Sequence, residues 1–228
     1  MKKLRTLLVT FDNPINPSQI SAFRGAVIEK VGRENILFHN HLGDDGFSYR
    51  YPLIQYKSVY KKPAIFCVDA GVEAIHHLFE NRSWTIQFNG FPMNLKVDDL
   101  NLKTTTLNVW ETTFNYYLNN WQALNEINYQ KFNTLNSLTD RIDMLERILI
   151  GNILSMAKGL DWHIEKKVSV KITDMEAEKL SRMKDIHVAA FNLRFTSNIY
   201  LPDFIGLGKG ASKGFGIVKQ IRNKENAE

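Results

Sequence analysis

Apolar residues recur along the chain with two different periods, and these periods predict strands and helices in a defined order. A first strand is predicted at 3–11, where Leu, Val and Thr predominate. Asn16 and Pro17 begin a helix in which apolar residues recur every three or four positions, and Gly32 ends it. The pattern therefore predicts one strand followed by one amphipathic helix.

Further elements complete the first half of the chain. Two strands joined as a hairpin, a short helix and a fourth strand are predicted at 49–56, 63–68, 72–81 and 84–88. The order strand–helix–strand–strand–helix–strand is that of a ferredoxin-like (RRM-like) domain. We assign this N-terminal domain to residues 1–100, with a small hairpin or a connecting segment at 89–102.

The second half, residues 101–228, predicts a related order of elements. A strand at 103–118 precedes helices at 121–132 and 138–158, and Gly159 ends the second of these helices. The strands that follow are predicted at 163–172, 187–199 and 217–221. The fold class is therefore α+β, with tandem ferredoxin-like domains, and the last helix of the C-terminal domain is small or missing.

Composition and charge restrict the partners and the compartment. No apolar run reaches 18 residues, so we expect no membrane-spanning segment, and the first strand is too short and too interrupted for a signal peptide. The net charge of +5 and the pI near 9.2 favour an anionic partner. The single cysteine, Cys67, permits no internal disulfide and is consistent with a reducing cytoplasm.

A glycine-rich run near the C-terminus is the most specific motif. Its five glycines fall within eleven residues, at Gly206, Gly208, Gly210, Gly214 and Gly216. Glycine allows positive φ and a close approach of backbone N–H groups to phosphate, while Lys209, Ser212 and Lys213 add cationic and hydroxyl donors. The order of residues does not match a phosphate-binding P-loop, because Lys213 precedes glycine and a strand follows. A flexible turn between two strands is the alternative.

The run contains Gly206-Leu207-Gly208 and Gly214-Phe215-Gly216, separated by five residues. This pattern resembles the C-terminal signature of the RAMP superfamily, and the tandem domain order is similar to that of its CRISPR RNA-processing endoribonucleases. The resemblance implies metal-independent cleavage of CRISPR repeat RNA, without a cofactor. The substrate 2′-hydroxyl would attack, and the products would be a 2′,3′-cyclic phosphate and a 5′-hydroxyl.

Such a reaction needs a base, an acid and a cation near the phosphate. The resemblance implies a catalytic histidine after the first helix, where His39 and His41 lie. We choose His41 as the principal catalytic residue, because the Gly- and Asp-containing segment at 42–46 makes its loop mobile. His39 could orient the chain instead, and both histidines could be ordinary loop residues.

Further candidates lie on predicted strands. In an extended segment, Tyr51, Gln55 and Lys57 share one face. Tyr51 and Lys57 are about 20 Å apart in such a strand, so we expect one to act in the chemistry and the other to bind RNA. Arg194 alternates with buried-type residues, so it is predicted to be exposed beside the glycine-rich run as a phosphate contact. Arg24 is interpreted as a solvated helix residue.

No metal site is expected. A zinc site could combine His39 and His41 with His76 or His77, but neither of the last two is a convincing third ligand. The acidic pair at 44–45 is typical of solvated loops.

Two other functions stay open at this point. One is a non-catalytic RAMP subunit that binds RNA in a CRISPR effector complex. The other is a ferredoxin-like metabolic domain that binds a small phosphorylated ligand. The expected partner is CRISPR repeat RNA, and effector-complex subunits and a second copy of the chain are further candidates. No membrane partner is expected.

Overall fold

A computed structural model of the protein describes residues 1–40, 51–80, 82–176, 179–183 and 186–222. The chain divides into two compact units. The first unit comprises Lys3–Thr105 together with Ser212–Gly214, and the second comprises the remaining segments. Each unit contains one main sheet and its own helices, so the α+β class and the tandem ferredoxin-like arrangement are confirmed.

The strands of the first unit are β1 (Lys2–Phe11), β2 (Ile54–Val59), β3 (Lys62–Val68), β4 (Thr85–Phe88), β5 (Phe91–Asn94) and β6 (Val97–Leu107). Its helices are α1 (Ile20–Val31), α2 (Ile36–His39), α3 (Ala70–Ala74) and α4 (His76–Phe79). The main sheet has the order β2-β3-β1-β6, while β4 and β5 pair only with each other among the described strands. A strand does form at 84–88, but its predicted place as the fourth strand of the main sheet is wrong. That place, beside β1, is taken by β6.

The reason is a tight turn at Asn89 and Gly90, which both have positive φ (51° and 83°). Such a two-residue turn favours an immediate hairpin. It folds β4 back on β5 and leaves the following strand, β6, to complete the sheet. The strand predicted at 103–118 is accordingly two strands, with β6 in the first sheet and the next strand in the second.

The two faces of the first sheet differ in character. One face packs on the apolar side of α1, and Phe23 contacts Phe11 and Tyr56 with ring centroids 5.9 Å and 6.0 Å apart. The register of β2 and β3 places Gln55 and Lys57 on the opposite face. Both side chains are completely buried. Alternation along β2 therefore separates an apolar face from a buried polar one.

The strands of the second unit are β7 (Val109–Trp121), β8 (Val170–Met175), β9 (Lys179–Met183), β10 (Ile186–Ile199) and β11 (Ile217–Gln220). Its helices are α5 (Glu126–Thr134) and α6 (Leu138–Gly159). The sheet order is β11-β7-β10-β8, with β9 paired to β10. Ser137 caps α6, since its hydroxyl oxygen accepts hydrogen bonds from two N–H groups of the first turn.

The second unit follows its predicted order with one strand that was not predicted, β9, and one shortened element. Between β10 and β11 there is a 3-10 turn, Ala211–Lys213, in the place of the last α-helix, so the prediction of a small or missing last helix is confirmed. The strand predicted from 163 begins at Val170. No helix in the described part of the chain is long and apolar enough to cross a membrane.

Candidate functional site

The glycine-rich run folds as two paired triplets. The N–H of Leu207 donates to the carbonyl of Gly216 at 2.8 Å, and Gly206 bridges to Ile217. The N–H of Gly216 in turn donates to the carbonyl of Asn120 at 3.0 Å. Leu207 is completely buried. The two Gly–hydrophobic–Gly triplets thus lie side by side, and one of their large side chains belongs to the core.

Glycine is required in this arrangement for reasons of space as well as conformation. Gly208 and Gly216 have φ of +79° and +60°. A Cβ on Gly208 would lie 2.7 Å from Oδ1 of Asn152 and 2.8 Å from Nε1 of Trp121, two atoms that are hydrogen-bonded to each other. A Cβ on Gly216 would overlap the carbonyl oxygen of Leu207. Packing therefore accounts for these two glycines.

The remaining residues of the run differ in accessibility. Lys209 is exposed, whereas Ser212 and Lys213 are half-buried. Ser212–Gly214 belongs to the first unit, where a Cβ on Gly214 would lie 3.3 Å from the carbonyl oxygen of Tyr56 and 3.8 Å from Cα of Lys57. Within the first unit, Gly214 is therefore next to the backbone of β2.

Lys57 is a buried ionisable side chain on β2 of the first unit. It is completely buried, and its Nζ has no hydrogen-bond partner among the described residues. Its ammonium group lies 5.9 Å from the ring centroid of Phe66. Burial lowers the pKa of Lys57 to about 7. Strongly perturbed groups of this kind are concentrated at functional sites, although structural residues also show them.

Tyr51 lies just before β2 rather than within it. The amide Nε2 of Gln55 donates to the Tyr51 hydroxyl at 2.9 Å and to the Pro52 carbonyl at 3.0 Å. Among the described residues, the strand predicted at 49–56 begins only at Ile54, and the chain bends at Leu53. Tyr51 and Lys57 consequently lie on either side of Gln55 along the chain, and their functional roles stay predictions.

His39 ends α2, and two hydrogen bonds hold it in place. Its Nε2 lies 2.6 Å from the carbonyl oxygen of Arg33. Because a carbonyl only accepts, Nε2 carries the proton, and the neutral ring then has its lone pair on Nδ1. The carbonyl of His39 accepts a 2.7 Å hydrogen bond from Nη2 of Arg24. His41 lies outside the described residues, as do the acidic pair and the rest of its loop.

Arg24 is not the solvated residue that the sequence predicts. Its side chain is partly buried, its Nε has no hydrogen-bond partner among the described residues, and burial lowers its pKa. An arginine keeps its charge even so, because its ordinary pKa is far above neutrality. Arg24 thus brings a permanent positive charge to the end of α2. The apolar period of α1 does not predict that Arg24 is partly buried. Arg24 lies next to the core residue Phe23 and outside the apolar positions of the helix.

Arg194 lies on β10 with its side chain exposed, as its alternation predicts. Its Nε is 3.8 Å from a carboxylate oxygen of Asp174 on β8, and Tyr117 on β7 is its cross-strand neighbour. The Tyr117 hydroxyl donates to Glu176 at 2.9 Å. This sheet face is therefore polar and mixed in charge, and the phosphate contact proposed for Arg194 stays a prediction.

The fold and the paired triplets define a tandem ferredoxin-like protein of the RAMP type. The family model of the Cas6b N-terminal domain matches residues 2–106, and that of the Cas6b C-terminal domain matches 108–221. The chain belongs to the Cas6b family. The resemblance to CRISPR RNA-processing endoribonucleases is thereby confirmed.

Individual relatives agree with this family assignment. A crystal structure of Cas6b is 28% identical, with a TM-score of 0.88, and the match covers 96% of this chain and 100% of that one. A crystal structure of the CRISPR RNA processing endoribonuclease Cas6b is 24% identical, with a TM-score of 0.74 over the same shares of both chains. The uncharacterized protein MJ0978 of Methanocaldococcus jannaschii is 35% identical over 105 residues, which is 46% of this chain and 70% of that protein.

Proposed function

We propose that this protein is a metal-independent endoribonuclease that cleaves CRISPR repeat RNA through attack of the substrate 2′-hydroxyl. Membership of the Cas6b family supports RNA processing. The observation that carries the proposed chemistry is the arrangement of His39 and Arg24 at the end of α2. The His39 ring is held by the Arg33 carbonyl, and the permanent cation of Arg24 binds the backbone carbonyl of His39, two residues before His41.

The proposed reaction uses groups of the substrate and the protein only. A histidine takes the proton of the 2′-hydroxyl, and the 2′-oxygen attacks the adjacent phosphorus. The bond from phosphorus to the 5′-oxygen breaks, and a protonated group gives a proton to that leaving oxygen. The products are a 2′,3′-cyclic phosphate and a 5′-hydroxyl. A nearby cation stabilises the charge that develops on the phosphorane oxygens.

We assign the principal catalytic role to His41 and a supporting role to His39. The hydrogen bond from His39 to the Arg33 carbonyl fixes its ring, and the bond from Arg24 fixes its backbone. These two contacts set the point from which the chain continues toward His41. Arg24 and Tyr51 are the candidates for RNA contact, and Lys57, whose amine is completely buried, is a candidate for charge stabilisation only.

His41→Ala is expected to lower the rate of repeat-RNA cleavage by at least about 100-fold, since one general acid or base contributes roughly 10²–10⁴. RNA affinity should change little, because the backbone and the cationic residues are retained. Single-turnover cleavage of labelled repeat RNA in EDTA measures the rate, and filter binding measures the affinity. His163→Ala, which changes an exposed histidine of the second unit, is the matched control.

The chemistry has its own test. A repeat RNA with a single 2′-deoxy nucleotide at the cleaved position should bind normally and resist cleavage, because the nucleophile is missing. Cleavage of that RNA would contradict the 2′-hydroxyl mechanism. Equal rates for the wild type and His41→Ala would remove His41 from the proposal, and tight binding without any cleavage by the wild type would favour a non-catalytic RAMP subunit.

RNA binding is proposed for the accessible part of the glycine-rich run. Lys209→Ala is expected to weaken binding of all RNA sequences similarly and to reduce the slope of log K against log salt by about 0.7, the value for one contact with single-stranded phosphate. Lys131→Ala, which removes an exposed lysine from α5, is the control. A salt slope that is the same in both variants and the wild type would exclude Lys209 from the RNA interface.

A further inference from the structure

Three possible metal-ligating side chains converge at the end of α4. His76 and His77 begin this helix, and Glu80 follows it with helical backbone angles (φ −67°, ψ −18°). Glu80 is therefore one helical turn from both histidines, at the spacings i+4 and i+3. One potential ligand atom from each side chain lies within 4.8 Å of the other two. The three side chains are exposed on the first unit, and none of them is among the residues proposed for RNA cleavage.

The tautomer of His76 suits metal binding. Its Nδ1 is hydrogen-bonded to the backbone carbonyl of Glu73, so Nδ1 carries the proton and Nε2 has the lone pair. Metal-ligating histidines commonly donate their second ring N–H to a backbone carbonyl, which fixes the ring orientation. Nε2 of His76 faces Glu80, so the lone pair is directed toward a carboxylate. Glu73 is itself anchored by an ion pair with Arg5 at 2.6 Å.

The distances are typical of ligands that share one ion. Nε2 of His76 is 3.5 Å from one oxygen of Glu80, and Nδ1 of His77 is 3.7 Å from the other. Both separations are longer than an ordinary N–H···O hydrogen bond. Zinc lies about 2.0–2.1 Å from such nitrogen and oxygen ligands, which places neighbouring ligands of a tetrahedral ion roughly 3.3 Å apart. Small side-chain rotations would bring the three groups to that spacing.

We propose that His76, His77 and Glu80 bind one divalent first-row transition metal ion, with zinc as the favoured ion. Two imidazoles and one carboxylate form a nitrogen–oxygen ligand set that suits zinc, and water would complete its coordination. The centroids of the two rings lie 4.0 Å apart. Histidine binds a metal ion through the lone pair of its neutral ring. The ion would stabilise the helical segment of the first unit and would take no part in RNA cleavage.

Cobalt absorption tests this site directly. Titration of the full chain, without an affinity tag, with Co²⁺ should give visible bands of a low-symmetry site that saturate at one equivalent, and added Zn²⁺ should displace them. His76→Gln, His77→Gln and Glu80→Gln should each weaken Co²⁺ binding at least about tenfold, because even partners of metal ligands contribute 10–100-fold. His163→Gln, at an exposed histidine of the second unit, should bind Co²⁺ like the wild type.

Thermal unfolding gives a second readout, independent of RNA cleavage. Zinc should raise the Tm of the wild type and of His163→Gln, and it should leave the Tm of Glu80→Gln unchanged. Co²⁺ binding that is equally strong in Glu80→Gln, or the absence of saturable binding in the wild type, would overturn the proposal. The nuclease proposal is tested separately, by cleavage assays in EDTA. A failure of the metal-site proposal can therefore be distinguished from a failure of the nuclease proposal.

Discussion

Lys57→Met is expected to make the protein more stable at pH 7, by about 2–4 kcal/mol, and to lower its RNA-cleaving activity. The ammonium group of Lys57 is completely buried and has no hydrogen-bond partner among the described residues. Each pKa unit of depression corresponds to about 1.4 kcal/mol, and replacing a buried charge by an apolar side chain of similar volume is often stabilising. Methionine has that volume and adapts to irregular surroundings.

The stability difference between Lys57→Met and the wild type is expected to depend on pH. Burial lowers the pKa of Lys57 to about 7 from its ordinary value of 10.5, so the unfolded chain binds more protons than the folded chain between these values. The contribution of Lys57 to the free energy of unfolding therefore increases as the pH rises from about 7 to about 10.5. The advantage of Lys57→Met should be greatest near pH 7 and smallest near pH 10.5.

Urea unfolding followed by circular dichroism at several pH values measures the stability, and single-turnover cleavage measures the activity. Lys103→Met, at an exposed lysine of β6, is the control and should change the stability by less than about 0.5 kcal/mol. A Lys57→Met protein that is more stable and fully active would assign Lys57 a structural position only. A destabilised variant would show that the amine has a favourable partner in the folded protein.

Gly216→Ala is expected to destabilise the second unit by about 3–5 kcal/mol, the range of severe backbone and core changes. The φ of +60° alone disfavours alanine by roughly 1–2 kcal/mol. The new Cβ would also overlap the carbonyl of Leu207. Relief of this overlap requires the two triplets to separate, which breaks the hydrogen bond between Leu207 and Gly216 and displaces a buried leucine from the core.

Denaturant unfolding followed by tryptophan fluorescence suits this test, because Trp110, Trp121 and Trp162 belong to the second unit. Gly151→Ala is the matched control. Gly151 lies within α6, and an added Cβ would meet nothing within 4 Å. This control should raise the stability by about 0.5–1 kcal/mol through helix propensity. Similar stabilities for the two variants would show that the second unit accommodates a side chain at 216.

Local patterns predict the parts of this fold that depend on local physics. The apolar period of α1 and α6 and the glycine that follows α1 define those helices well, and alternation along β10 correctly exposes Arg194. The pairing of β1 with β6 in place of β4 joins strands that are far apart in the sequence. Alternation within a strand does not specify which strand lies beside it. The Asn89–Gly90 dipeptide is a strong hairpin signal that indicates the separate pairing of β4.

The candidate site is less predictable, because burial depends on what covers a face. Alternation places Lys57 on the same side of the strand as Gln55, but it does not show that this side is buried. The contact of Arg24 is equally hard to predict, because its position on α1 gives no indication that it reaches the carbonyl of His39. The catalytic assignment of His39 and His41 rests on the family resemblance, and periodicity does not indicate it.

The paired glycine triplets affect how variants of this family signature are interpreted. Substitutions at Gly208 and Gly216 would act first on the amount of correctly folded protein, because both positions are restricted by packing. An RNA-binding titration of such a variant then reports a reduced active concentration, which resembles a loss of affinity. The glycines of a family signature can thus be required by the fold of their own loop. Contact with RNA is better tested at an exposed side chain such as Lys209 than at these glycines.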